Sequence, residues 1–331
     1  MLKLFKSHLA FIPVLIIIIF MMALRIDVLF GAYVPNLWQE ELAPFSLFLK
    51  NTLGLKLLTN RFFNLLLTAI IVFFQAGIIM SIFELYKNTE LKSFLPAWLF
   101  VLIMHLHPDL LYLSPQLISA TFILLAFRKL IVFVESNNKK KSIFDIALFI
   151  GVASMFWLPS FIFLLVVFYF LYNKSKLNLR AFLAVFFTVL IPLFYVVAFY
   201  ILSDQWQLAD TIFNSFKLNN FHFNFYSLSK IPSSILLLLL SLSSIYFVSN
   251  FVSKQLMEIK VFFGGIGIFI FNVFLVYLFQ NENHISLVIF LFFPIAIFLS
   301  ILFNRIKRNI VAEFIHLVLL LTIIINFMNF T

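Results

Sequence analysis

Apolar residues run along this chain in long blocks broken by short polar stretches. Eleven blocks can be delimited: 9–24, 62–83, 95–106, 113–134, 143–158, 159–172, 181–202, 232–252, 261–280, 285–303 and 310–328. A helix needs about 20 apolar residues to cross ~30 Å of hydrocarbon, and several blocks approach that length. The pattern therefore predicts an all-α, polytopic integral membrane protein, one transmembrane domain over 1–331 with about 11 transmembrane helices. Three blocks are short. The 95–106 block stands alone, and 143–158 meets 159–172 at Trp157-Leu158-Pro159-Ser160 with no polar loop between them. Short apolar helices either thin the bilayer or are shielded by neighbours that line a cavity.

Two polar sections are long enough to have structure of their own. The section 25–61 is too short and too polar to span twice, so it predicts one or two helices lying on the membrane surface. In 203–231, Leu208, Ile212, Phe213 and Phe216 share one helical face while Asp210, Asn214 and Lys217 take the other. A second interfacial helix is expected there, followed by an extended piece where Phe221, Phe223 and Phe225 alternate with His222 and Asn224.

Composition agrees with the pattern. The 331 residues are 64% hydrophobic and only 11% charged, where a soluble domain carries about 25% charge. An ordinary soluble enzyme and a disordered chain are excluded, and the absence of Cys excludes a disulfide scaffold. The net charge of +10 would suggest nucleic acid in a soluble protein, but here no nucleic-acid partner is expected, because the basic residues sort by loop. With the N-terminus cytoplasmic, the outer sections hold Arg25, Lys50, Lys56, Arg61, Lys217 and Lys230, and the cytoplasmic sections hold the other 17 of 23 basic residues. Positive charge stays inside. The expected location is a cell inner membrane, with a periplasmic C-terminus. Lys3 and Lys6 ahead of the first block resemble a signal peptide, but no exported domain follows, so that block reads as a retained helix.

Chemistry survives mainly on the outer side. The connection His105-Leu106-His107-Pro108-Asp109 is dense in polar groups beside a short apolar block. A charge at a helix centre in lipid costs about 2.5–3.5 kcal/mol, so Asp109 either faces a wet cavity or caps the helix that follows, with His107 in the headgroup region. Arg25 and Asp27 stand just after the first block, and Glu40-Glu41 lie further along the same section. Elsewhere polar residues read as packing. Asn64, Gln75 and Asn272 are expected to make interhelical hydrogen bonds. Gly264-Gly265-Ile266-Gly267 suits close helix approach, and Glu313 with His316 reads as a plain interfacial pair.

An acid just after the first span, a helical first outer section and a second acid between the third and fourth spans resemble the GT-C superfamily. These are membrane glycosyltransferases that use polyprenyl-phosphate-linked sugars. The resemblance covers the topology of roughly 1–134 and leaves 135–331 as additional helices. It implies base, metal or acceptor-positioning roles for Asp27, Glu40, Glu41 and Asp109. The first-section acids contain no Asp-x-Asp or Asp-Glu pair, and Glu40-Glu41 is the nearest match. The whole chain also resembles an uncharacterised family of multi-pass inner-membrane proteins of Bacteroidota. The stretches that carry this are Leu42-Ala43-Pro44-Phe45-Ser46, Asn60-Arg61-Phe62-Phe63-Asn64 and Leu111 to Ala120.

Sugar transfer implies a base for the acceptor hydroxyl, which a carboxylate in a partly dehydrated cleft can supply. It also implies cations or donors beside the leaving phosphate, for which Arg25, Arg61, His107, Lys217 and Lys230 are the outer-side candidates. A divalent metal, Mg²⁺ or Mn²⁺, is an open alternative, since hard oxygen ligands suit it. The partners implied are membrane lipids, a polyprenyl-phosphate-linked sugar and other membrane proteins. A competing expectation is a non-catalytic subunit or scaffold of an envelope-assembly or secretion complex. A lipid flippase or transporter ranks below both, because the sequence shows almost no mid-span charge and no repeat.

Overall fold

The computed structural model describes residue 5 and residues 11–30, 43–52, 60–85, 93–135, 140–173, 178–204, 232–279, 285–306 and 309–330. Among them the chain is all helix and connection. In order come α1 (Phe11–Phe30), α2 (Pro44–Thr52), α3 (Arg61–Leu85), α4 (Leu95–Met104) and α5 (Pro115–Glu135). They are followed by α6 (Lys140–Phe156), α7 (Leu164–Asn173), α8 (Leu179–Leu202), α9 (Pro232–Val252), α10 (Met257–Phe279), α11 (Ile289–Arg305) and α12 (Asn309–Phe330). Three 3₁₀ turns, Pro108–Leu111, Leu158–Phe163 and Ile285–Val288, lead into α5, α7 and α11.

Over the described residues each of the eleven apolar blocks is mainly helical, yet membrane-crossing length is a stricter condition. Five helices are long and apolar enough to cross: Phe11–Phe30, Arg61–Leu85, Pro115–Phe133, Leu179–Leu202 and Met257–Tyr277. The other apolar helices are shorter over the described residues, so the fold supports a membrane protein with at least these five candidate spans rather than a count of eleven.

The hub is one of the shortest of them. All ten residues of α4 are buried, and at 1.5 Å per residue it is only about 15 Å long. It packs on α1, α3 and above all α11, of which thirteen of seventeen residues are buried. Protein, not lipid, surrounds it. This explains why its sequence is apolar on every side and lacks an amphipathic stripe. Pro96 in its first turn suits a helix start. At the other end Pro108 forces the preceding His107 into extended backbone, φ −139° and ψ 137°, so the helix cannot continue.

The abundance of Phe has a packing reason. Phe127 on α5 meets Phe170, Phe262, Phe269 and Phe293 edge-on, with centroids 5.1–6.1 Å apart, and so joins α7, α10 and α11 at one point. Small residues let the helices close in. A Cβ on Gly265 would sit 2.5 Å from the Phe170 ring, which accounts for that glycine in α10. The expected interhelical bonds form as well. Gln75 Nε2 donates to the Leu117 carbonyl (2.9 Å) and to Thr121 Oγ1 (2.8 Å), and Asn272 Nδ2 donates to the Ile162 carbonyl (3.2 Å).

Two sequence readings change. The first helix runs six residues beyond the expected block, so Arg25 lies inside α1 and is buried rather than in a loop. His316 is not interfacial. It is buried in the core, where Trp98 Nε1 donates to its Nε2 at 2.7 Å across α4 and α12.

Within the section 25–61, a short helix is present as α2. Ser46 Oγ donates to the Phe156 carbonyl at 2.7 Å and Phe45 meets Phe156 edge-on, so both fasten α2 to the end of α6. The expected interfacial helix and extended piece in 205–231 lie outside the described residues.

Candidate functional site

The polar groups of interest collect where α4 ends. Deep in that region His105 is fully buried, and its Nδ1 is 2.7 Å from the Val101 carbonyl. A carbonyl only accepts, so Nδ1 carries the proton and Nε2 presents a lone pair. That lone pair faces Arg25 Nη1 of α1 at 3.3 Å, and the same Nη1 donates to the Met21 carbonyl at 3.3 Å. Phe20 closes one side in a T-shaped contact with the imidazole, centroids 5.5 Å apart.

Arg25 is thus a buried cation whose neighbour is a neutral ring. Its Nε and Nη2 have no hydrogen-bond partner among the described residues. Unmet buried donors cost about 1–3 kcal/mol each, and more on a charged group, so these two nitrogens call for an acceptor beyond the described residues.

Two residues on, His107 caps the 3₁₀ turn. Its Nδ1 accepts the Asp109 backbone N–H at 3.2 Å, the role that the sequence offered to Asp109 itself. An Nδ1 that accepts is unprotonated. Burial pushes the His107 pKa below its ordinary value, and the nearby Asp109 charge only opposes this. The carboxylate Oδ2 of Asp109 lies 3.4 Å from the same Nδ1, with the Asp109 side chain 17% exposed. Protonation of His107 would turn this contact into an ion pair. The connection is then tied to α3: Asn64 Oδ1 accepts the Leu113 N–H at 2.6 Å, and Thr68 Oγ1 secures the Asn64 carbonyl at 2.8 Å.

Of the expected site residues, the fold brings Arg25 to His105 and His107 to Asp109. Arg61 begins α3 and is half-buried. Asp27 belongs to the last turns of α1, but its side chain is outside the described residues, as are Glu40, Glu41, Lys217 and Lys230 altogether. His105 had no assigned role in the sequence reading. Its signal was only that it precedes two other polar residues in an apolar stretch. Among the described residues no three His, Asp or Glu side chains gather as metal ligands. Two small cavities of about 10 Å³ each, the room of a single water, lie deeper between the helices, one beside Gln75 and the other beside Phe127.

Residues 45–331 match a family of unknown function, DUF6427. No curated protein and no solved structure matches the chain.

Proposed function

The chain belongs to the DUF6427 family of unknown function, and on that premise we propose that it is a multi-pass inner-membrane enzyme transferring a sugar from a polyprenyl-phosphate carrier on the outer face. One observation supports the reading above others. A carboxylate with its histidine, Asp109 and His107, and a guanidinium with its histidine, Arg25 and His105, border the same five-residue connection.

In the proposed reaction Asp109 takes the proton of the acceptor hydroxyl. The freed oxygen attacks the anomeric carbon, and the bond from that carbon to the carrier phosphate oxygen breaks. The phosphate leaves with the electron pair, and a cation such as Arg25 or Arg61 meets its charge. Glu40, Glu41 and Asp27 supply further acid groups from the first outer section, and Lys217 and Lys230 further cations from the second. The N-terminus is cytoplasmic and the C-terminus periplasmic in this reading, with eleven crossings.

Purified protein offered a polyprenyl-phosphate sugar and a hydroxyl acceptor should release the carrier phosphate. Asp109→Asn should lower that rate about 10²–10⁴-fold, the usual worth of a positioned base, while elution and thermal midpoint stay unchanged. Wild-type rates in this variant would overturn the reading.

A second reading, a non-catalytic membrane subunit, draws on α8. Only 17% of its apolar window is buried, and Phe187, Phe194, Tyr195 and Phe199 face outward. Either lipid or a partner helix suits that face.

A further inference from the structure

Arg25 holds an unused pair of donors, and their identity matters. A guanidinium is planar and permanently charged, with its five N–H bonds in a fixed fork. Nη1, the terminal nitrogen on the same side as Cδ, is taken by the Met21 carbonyl and the His105 lone pair. The two nitrogens with no partner among the described residues are Nε and Nη2. Together these form the side-on edge of the fork, two parallel N–H groups that match the oxygens of one anion. Among the described residues the partial set is therefore an unfilled bidentate face on a side chain only 4% exposed.

His105 prepares that face. The Val101 carbonyl fixes its tautomer, so the ring accepts from Nη1 without adding or removing charge. Among the described residues no carboxylate pairs with Arg25, so among them its positive charge has no anionic partner. In the orientation proposed above, Arg25 lies five residues before the end of α1, about 7.5 Å along the helix.

We infer that the Nε–Nη2 edge of Arg25, aligned by His105 as a positioning residue, binds a phosphate oxyanion through two of its oxygens. This deepens the proposed function and rests on it for the source of the phosphate, a lipid headgroup rather than the free ion.

The test uses the full chain in maltoside micelles, which contain no phosphate, with inorganic phosphate and farnesyl phosphate as probes. Saturable binding followed by ³¹P NMR is expected. Arg25→Lys keeps the charge but not the planar edge, and should weaken binding at least tenfold. His105→Phe should do the same, and His105→Gln, whose amide oxygen reaches the Nε2 position, should restore it to within threefold. Unchanged elution and thermal midpoint separate these effects from misfolding, and the two His105 variants carry the test alone if Arg25→Lys fails to fold.

Farnesyl phosphate binding alone assigns a lipid headgroup. Equal binding of both probes also supports the site but assigns its ligand to free phosphate. Failure of both probes to bind wild-type protein, wild-type affinity in Arg25→Lys, or equal affinities in His105→Phe and His105→Gln would overturn the inference. So would a tenfold gain in affinity in Asp27→Asn, which would mean that the chain fills the edge with its own carboxylate. The sugar-release assay is read separately: binding without transfer keeps this site and removes the enzyme reading.

Discussion

His107 joins a backbone cap to a titration. Its folded pKa lies below the ordinary value near 6.5 because burial penalises the imidazolium, with Asp109 opposing. A histidine depressed in this way contributes stability that is complete above its unfolded pKa and is lost as pH falls through the folded one. The thermal midpoint of wild-type protein should therefore fall between about pH 7 and pH 5. His107→Asn puts an amide oxygen at the Nδ1 position, so it keeps the cap on Asp109 while removing the titration. A midpoint that falls as steeply in this variant would show that another group is responsible. His107 and Asp109 were legible in the sequence because polar residues within an apolar stretch are conspicuous. The contact between Arg25 and His105 was not, since 80 positions separate them and no periodicity links the two.

Helix packing sets a second group of expectations. Pro192 lies inside α8 and supplies no N–H, so the helix loses a bond there. Gly151 of α6 lies against this same stretch. A Cβ on it would come 2.6 Å from the Val189 carbonyl and 3.2 Å from the Pro192 ring. Backbone yields little, so Gly151→Ala should force α6 and α8 apart and cost about 1–3 kcal/mol, measured as a lowered midpoint. Gly77 of α3 has nothing within 4 Å of such a Cβ. Gly77→Ala should cost nothing and add helix propensity worth up to about 1 kcal/mol. Equal losses in both would refute the packing argument. The helices themselves followed from apolar block lengths, and their ends from prolines and polar breaks. α4 shows the limit of that reading. Its apolar residues announce burial but do not say whether lipid or protein provides it, and the enclosing α11 lies almost 200 positions away.

The bundle as a whole has two chemically unlike ends. Trp98, Phe5 and His316 meet near the start of α4, with Phe5 stacked on Trp98 at 4.6 Å. At its other end Arg25 meets His105, His107 meets Asp109, and Asn64 holds the Leu113 N–H. In the topology proposed above, the first end faces the cytoplasm, the side to which the positive-inside rule assigns most basic residues. A chain without Cys allows a direct check by single cysteines. An impermeant maleimide should label Asn281→Cys in intact cells, and Lys139→Cys only after permeabilisation. The opposite pattern would invert the proposed topology and put Asp109 on the cytoplasmic face.

The order of apolar and polar residues determined by itself that this chain is helical and membrane-embedded, because solvation of each segment is a local property that its own side chains set. It also determined where polar chemistry is concentrated. Which cation meets which histidine, which helix is enclosed by protein, and that His316 belongs to the core were decided only by tertiary structure. Those outcomes depend on contacts between residues tens to hundreds of positions apart, where close packing and hydrogen-bond satisfaction, rather than local hydropathy, select the partner.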